Sequence, residues 1–293
     1  MSEFFAVLLQ YLLPKRMLSR LAGWFANWKG GAVTSAAIAA FARRYRVDMR
    51  EAAEPDLLAY ENFNNFFTRA LRSDARSFAE ADFVCPVDGA ISECGAIAGE
   101  QIFQAKGHHY SIHALLGGDA ELAKKFENGG FATLYLSPRD YHRIHMPCAG
   151  RLVRMIHVSG SLFSVNPLMA REISGLFARN ERVVCVFESE QGPFALVLVG
   201  AVIVGSVETV WHGVVTPPHS RRVSLWNYEG NEEVIELAQG AEMGRFKLGS
   251  TVVALFARPD MRFTPDWMPG KPVRLGEAMG SLGSAGRGEN PMK

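Results

Sequence analysis

The chain has 293 residues, 31 Lys and Arg against 30 Asp and Glu for a net charge of +1, and 48% hydrophobic content. That length and apolar share can build a substantial core in one large domain or two modest ones, so a globular body is expected. Cys85, Cys94, Cys148 and Cys185 lack the paired short spacing of a zinc site, and no cleavable export signal precedes them; they read as reduced thiols in a cytoplasm-facing protein.

The small net charge hides an asymmetry. Residues 1–50 hold eight Lys or Arg and two acidic residues, a balance of +6 that leaves about −5 for the remainder. A basic end implies a negatively charged surface as partner, nucleic acid or anionic lipid. Phe4 to Leu13 is almost wholly apolar but runs only about 10 residues before Pro14, half of the roughly 20 needed to span a bilayer, so it should not cross. The next segment places Met17, Leu21, Trp24, Phe25 and Trp28 on one helical face and Lys15, Arg16, Ser19, Arg20, Gly23 and Asn27 on the other. Such a basic amphipathic helix suits the headgroup boundary, its indoles at the interface and its cations against anionic lipid. Nucleic acid is disfavoured, since the basic residues are interleaved with greasy ones and no recognised binding motif is present.

Residues 34–46 continue as helix, and Pro55-Asp56-Leu57-Leu58 opens another with proline in its first turn. After Asp82 the texture changes to short alternating or β-branched runs divided by glycine, with helical interruptions expected at Ile112 to Phe126 and Leu168 to Phe177. Gly192 to Val207, uncharged and too short to span, reads as strand, turn and strand about Gly200. The expected class is α+β: membrane-facing N-terminal helices (1–70) followed by a β-rich catalytic domain (71–280), with a flexible tail at 281–293.

Leu248-Gly249-Ser250-Thr251 is the segment with the most distinctive chemistry. A serine after glycine can turn its oxygen on the unhindered glycine carbonyl, converting the amide to an ester. Elimination then releases the upstream chain and leaves dehydroalanine, whose hydrolysis expels ammonia and leaves a pyruvoyl group on residues 250–293. By itself Gly-Ser is also an ordinary turn pair running into a plain strand.

Other segments give the junction its context. Phe63-Asn64-Asn65-Phe66-Phe67-Thr68-Arg69, Pro86-Val87-Asp88-Gly89, Lys106-Gly107-His108, Tyr141-His142-Arg143-Ile144-His145-Met146-Pro147, Phe163-Ser164-Val165-Asn166 and Leu-Gly-Ser-Thr occur in this order. In these six the chain resembles the phosphatidylserine decarboxylases, closely so their bacterial membrane-associated form. The resemblance implies a cut between Gly249 and Ser250 into a β chain (1–249) and an α chain (250–293) that stay packed as a heterodimer; a homodimer of that pair is left open. It further implies a covalent pyruvoyl cofactor formed from Ser250. Its substrate would be membrane phosphatidylserine, converted through a Schiff base to phosphatidylethanolamine and carbon dioxide, at the cytoplasmic side of the cell membrane.

An unassisted serine is a poor nucleophile, so Ser250 needs a base and an orienting carboxylate. The resemblance gives these roles to His145 and Asp88, assigns His142 to proton donation in decarboxylation, and puts Ser164 at the headgroup. His142 and His145, three apart, share a helix face but lie on opposite faces of a strand, where one could serve self-cleavage and the other the substrate. Read with His157 as zinc ligands, they lack a familiar metal motif, and no metal is expected. Phe66, Phe67 and Arg69 read either as an apolar wall and phosphate partner or as a helix packed on the core with Arg69 solvated; Lys106 is equally ambiguous. Two alternatives stand beside the decarboxylase: a membrane-associated serine hydrolase, disfavoured by the lack of Gly-x-Ser-x-Gly around Ser250, and a non-catalytic membrane scaffold.

Overall fold

The computed structural model describes residues 3–203, 206–216, 223–230, 234–247 and 250–283, with Ser250 described by its backbone alone. Gly249 of the expected junction lies outside the described residues, as does the tail from 284 onward.

Three helices open the chain: α1 (Glu3–Leu12), α2 (Lys15–Asn27) and α3 (Ala32–Tyr45). After two 3-10 turns the short α4 (Phe63–Phe67) follows, its N-terminus capped by the Asn62 side chain, which accepts from the Asn65 N–H at 2.9 Å. Ala26, Ile38 and Ala42 pack with Phe63, Phe66 and Phe67 in a small core of their own. Helix α2 is mounted by its polar side. Ser19 Oγ accepts from the Ile203 N–H at 3.0 Å, Arg16 donates to the Gly160 carbonyl at 3.0 Å and Asn64 donates to Asn27 at 2.9 Å. The apolar stripe is thereby turned outward, with Trp24 at 68% and Leu21 at 57% exposure. No described helix is long and apolar enough to cross a membrane.

The body is built on a large antiparallel sheet. Its inner strands are β1 (Gly89–Ala96), β2 (Gly130–Leu136), β4 (Gly150–Val158), β5 (Arg182–Glu188), β6 (Phe194–Val199) and β9 (Ser250–Phe256), in spatial order β4-β5-β6-β9-β2-β1. A smaller sheet sets β8 (Glu242–Lys247) between β7 (Ser206–Thr209) and β3 (Arg143–His145). One core, with Leu134, Val252 and Leu198 from the large sheet and Ile144, Met243 and Phe246 from the small one, lies between the two. The opposite face of the large sheet, with Val197, Val253 and Leu255, is covered by short helices, among them Ile112–Leu115 and Pro167–Glu172. The two expected helical interruptions are thus each a pair of short helices.

The expected tail begins too early. Ser281 and Leu282 extend a strand, Ala278–Leu282, that pairs with Met261–Phe263, and the Gly283 N–H bonds to Asp260.

Strand β9 opens the expected α chain, and it is central. It pairs along its length with β2 on one side and β6 on the other, and Val252 to Leu255 are fully buried. Removing it would open two ladders and an apolar layer on both faces. A chain cut before Ser250 should therefore elute from gel filtration as one particle in high salt and separate only in denaturant; fragments that part under native conditions would contradict this packing.

Candidate active site

Antiparallel register brings the expected residues to one edge. Ala90 pairs with Tyr135, Tyr135 with Thr251, Thr251 with Val199, Val199 with Arg182 and Arg182 with Val158. Just beyond this row lie Asp88, which precedes β1, Ser250 at the start of β9, His142 six residues after the end of β2, and Ser164 six after the end of β4. Strands β8 and β9 are joined by residues 248–249, so the junction links the small sheet to the large one. The Phe246 N–H bonds to the His142 carbonyl at 3.0 Å, only four residues from Ser250. Gly89 is dictated by close approach: a Cβ there would fall 2.3 Å from the Tyr135 carbonyl oxygen. The Asp-Gly pair is therefore a strand entry and not a hairpin turn.

His145, on β3, donates from Nδ1 to the Gly240 carbonyl at 2.7 Å, since a carbonyl can only accept. That fixes the tautomer and leaves Nε2 as a lone pair, which accepts from the Tyr141 hydroxyl at 3.0 Å. Burial pushes the His145 pKa below the ordinary 6.5, with the Gly240 bond opposing. His142 is fully buried; its Nδ1–H goes to the Asp140 carbonyl at 2.8 Å and its ring lies 4.0 Å from that of Phe67. Its Nε2 has no hydrogen-bond partner among the described residues, and burial, with the neighbouring Arg69 charge adding to it, lowers its pKa to about 3. Both rings are therefore neutral bases at physiological pH, and they are directed apart, as an extended segment requires.

Asp88 is also buried, but its carboxylate is not on His145. Arg76 holds it with Nε at 3.0 Å and with Nη2, and the Leu275 N–H donates to it at 2.9 Å. Against the pull of burial, the bonds to Asp88 and Glu51 hold Arg76 above its ordinary value. The Asp88–His145 link of the relay expected from sequence is thus not formed among the described residues: the Gly240 carbonyl takes the orienting place. His145 and Asp88 remain neighbours, its N–H bonding to the Pro86 carbonyl at 2.9 Å.

Ser164 gives its N–H to Gln10 of α1 at 3.0 Å, and its Oγ faces the Asn166 N–H at 3.5 Å. Lys106 is absorbed by a hairpin turn, with φ of 49° followed by Gly107 at 78°, and pairs with Glu172. His157 faces Glu181 at 3.3 Å, and no three described His, Cys, Asp or Glu residues are grouped to hold a metal. Sequence reading gave no role to Tyr141, Gly240 or Arg76. Tyr141 stood inside a quoted motif, whereas Gly240 and Arg76 reach the site through tertiary contacts that leave no local pattern.

Beside Asp88 and Tyr141 lies a cavity of about 330 Å³, also walled by Arg69 and Asp140. A water-poor sheet edge with two neutral imidazoles suits proton transfer, the work of an enzyme. The phosphatidylserine decarboxylase family model matches residues 63–281, and a second model, described as PSD, matches residues 5–46. The phosphatidylserine decarboxylase proenzyme of Methylibium petroleiphilum is 66% identical over 95% of this chain and 98% of its own. That of Variovorax paradoxus is 64% identical over 96% and 99%, and that of Delftia acidovorans 61% over 99% and 100%. The chain belongs to the phosphatidylserine decarboxylase family.

His142 supplies a stability test. The unfolded chain takes up a proton there below pH 6.5 and the folded chain only near 3, so acidifying through that window favours unfolding. Urea midpoints of His142→Gln should fall less than those of the parent between about pH 6.5 and about pH 4; parallel losses would contradict the burial of a neutral ring.

Proposed function

We propose that the chain is a proenzyme that cuts itself between Gly249 and Ser250, and that the new N-terminus becomes the pyruvoyl group of the mature decarboxylase. The reaction is decarboxylation of phosphatidylserine to phosphatidylethanolamine and carbon dioxide. The observation that carries the processing step is the placing of Ser250 at the opening of a locked central strand, with the neutral His145 on the facing sheet.

In the processing step the Ser250 hydroxyl gives its proton to the base and adds to the Gly249 carbonyl. The amide nitrogen leaves to give an ester, and loss of the Ser250 α-proton expels the Gly249 carboxylate. Water then replaces nitrogen at the resulting dehydroalanine, releasing ammonia. His145 serves as the base at Nε2 once Tyr141 yields that lone pair, and Asp88 supplies charge nearby. The edge fits a pyruvoyl group, because residue 250 stays anchored by backbone pairing to Leu136 while a buried imidazole nitrogen nearby has no other partner. Such a carbonyl supplies an electrophile for the substrate amine and a sink for the electrons that carbon dioxide leaves behind. His142, neutral as found, accepts the proton shed by the headgroup ammonium and returns it to the α-carbon, acting as the proton donor of the second half-reaction. Ser164 offers its hydroxyl to the headgroup. Burial of the site disfavours a charged carboxylate and keeps water from competing.

The outward apolar stripe of α2, with exposed Phe4 and Leu12 on α1, supports a peripheral seat on the cell membrane; the reading puts that seat on the cytoplasmic side, with the two fragments held as a heterodimer and pairs of these free to dimerise. Trp24→Glu with Trp28→Glu should weaken binding to phosphatidylglycerol vesicles at least about tenfold in a flotation assay; unchanged flotation would remove α2 from the membrane.

Ser250→Ala should stay uncut and release no carbon dioxide from phosphatidylserine, and efficient turnover by it would refute the mechanism. Fatty-acid release by the uncut parent would favour the hydrolase. Because His145 titrates below the ordinary histidine value, self-cleavage followed by mass should keep its rate from about pH 8 down through about 6.5 and slow only below. A decline starting above that range would mean a different base.

A further inference from the structure

Two arginines are deeply buried in the described body, Arg69 at 5% exposure and Arg182 at 3%. Arg182 is fully provided for: Nε, Nη1 and Nη2 donate to the carbonyls of Leu115, Asn180 and Ala114 at 2.6, 2.7 and 2.5 Å. Arg69 is not. Its Nη2 reaches the Arg139 carbonyl at 3.2 Å and its Cζ lies 5.6 Å from the Phe66 ring centroid, while Nε and Nη1 have no hydrogen-bond partner among the described residues. A guanidinium stays charged under any ordinary condition, and a buried cation with unmet N–H groups is costly unless an anion completes it.

The carboxylates around it are engaged elsewhere. Asp88 is held by Arg76, Glu51 by Arg76 and Arg274, and Asp140 accepts from the Ser137 N–H at 2.7 Å. Arg69 instead lines the 330 Å³ cavity, a size suited to a small ligand. Its setting has two sides. It follows α4, whose Phe67 ring packs on His142 and whose Asn64 carries α2. The element that Arg69 follows thus touches both the outward apolar helix and the histidine at the sheet edge, and the Arg69 charge acts on that histidine.

We propose that Arg69 binds the phosphodiester of the phospholipid headgroup, seating it in this cavity with the serine moiety toward His142. The proposal rests on the decarboxylase reading. The substrate offers two anions, and the chemistry selects between them. An arginine on the carboxylate would stabilise the charge that must vanish as carbon dioxide leaves, raising the barrier, whereas an arginine on the phosphate binds ground and transition states alike. The phosphate also persists in the product, so this contact sets affinity and not rate.

The test uses Arg69→Met and Arg69→Lys in the full chain, with mixed micelles of phosphatidylserine. Both variants should still process, read by intact mass. In Arg69→Met the KM should rise on the order of tenfold to a hundredfold with kcat changed by less than about threefold, and Arg69→Lys should recover part of the loss. Inhibition by glycerophosphoserine should weaken by a similar factor, while inhibition by O-methylserine, which keeps the amine and carboxylate without the phosphate, should not move. An unchanged KM overturns the proposal, as does equal weakening of both inhibitors, which assigns Arg69 to the carboxylate, or a collapse of kcat, which assigns it to the chemical step. If Arg69→Met fails to process, Arg69→Lys decides by the same KM and inhibitor readings, and failure of both to process makes Arg69 structural. A parent that leaves phosphatidylserine untouched would sink the decarboxylase reading itself, a separate result.

Discussion

The structure turns on the register of one strand. Thr251 is held between Tyr135 and Val199, and the whole of β9 is laddered on both sides within a sheet buried on both faces. Because antiparallel strands alternate direction, that register gathers the start of β1, the end of β2, the start of β9 and the end of β6 at a single edge. Residues more than a hundred positions apart, Asp88 and Ser250 among them, are brought to the same sheet edge without any flexible element having to bring them together. The same pairing makes a broken backbone tolerable. A cut at residue 249 removes one covalent link where two ladders and an apolar layer already hold the pieces.

Burial then sets the chemistry. His142 and His145 are both driven to the neutral form, and each has its Nδ1–H committed to a backbone carbonyl, which leaves Nε2 as the basic atom. Asp88 faces the other way, locked by Arg76 and by the Leu275 N–H from the segment that follows β9, while Arg274 of that segment reaches Glu51 in the helical region. One ionic cluster therefore ties helices, body and C-terminal segment together around the carboxylate. That carboxylate serves as a structural joint.

Much of this was legible in the sequence because it is local. The spacing of Met17, Leu21, Trp24, Phe25 and Trp28 gave the amphipathic helix, the texture change after Asp82 gave the β body, and the strand-turn-strand reading about Gly200 matches β6 and β7. The six motifs pointed to the family because each is a short contiguous run. What escaped is tertiary. Nothing near Arg76 in the chain announces Asp88, nothing near Gly240 announces His145, and the sequence could not tell whether Arg69 was solvated or buried. The polar stripe of α2 was assigned to lipid, yet Ser19, Asn27 and Arg16 use it to dock on the body and so force the apolar stripe outward. The tail was drawn three residues too long because Gly and Ser composition does not reveal that Ser281 and Leu282 find a strand partner in Met261–Phe263 and that the Gly283 N–H bonds to Asp260.

The central claim is that the polypeptide builds its reactive carbonyl at the opening of β9. Intact-mass measurement of the purified, active protein tests it most directly. Two chains divided after Gly249 are expected, the smaller lighter by one ammonia than a serine-started peptide and reactive toward a carbonyl-trapping hydrazine. A single unbroken chain that decarboxylates phosphatidylserine at full rate would contradict the account.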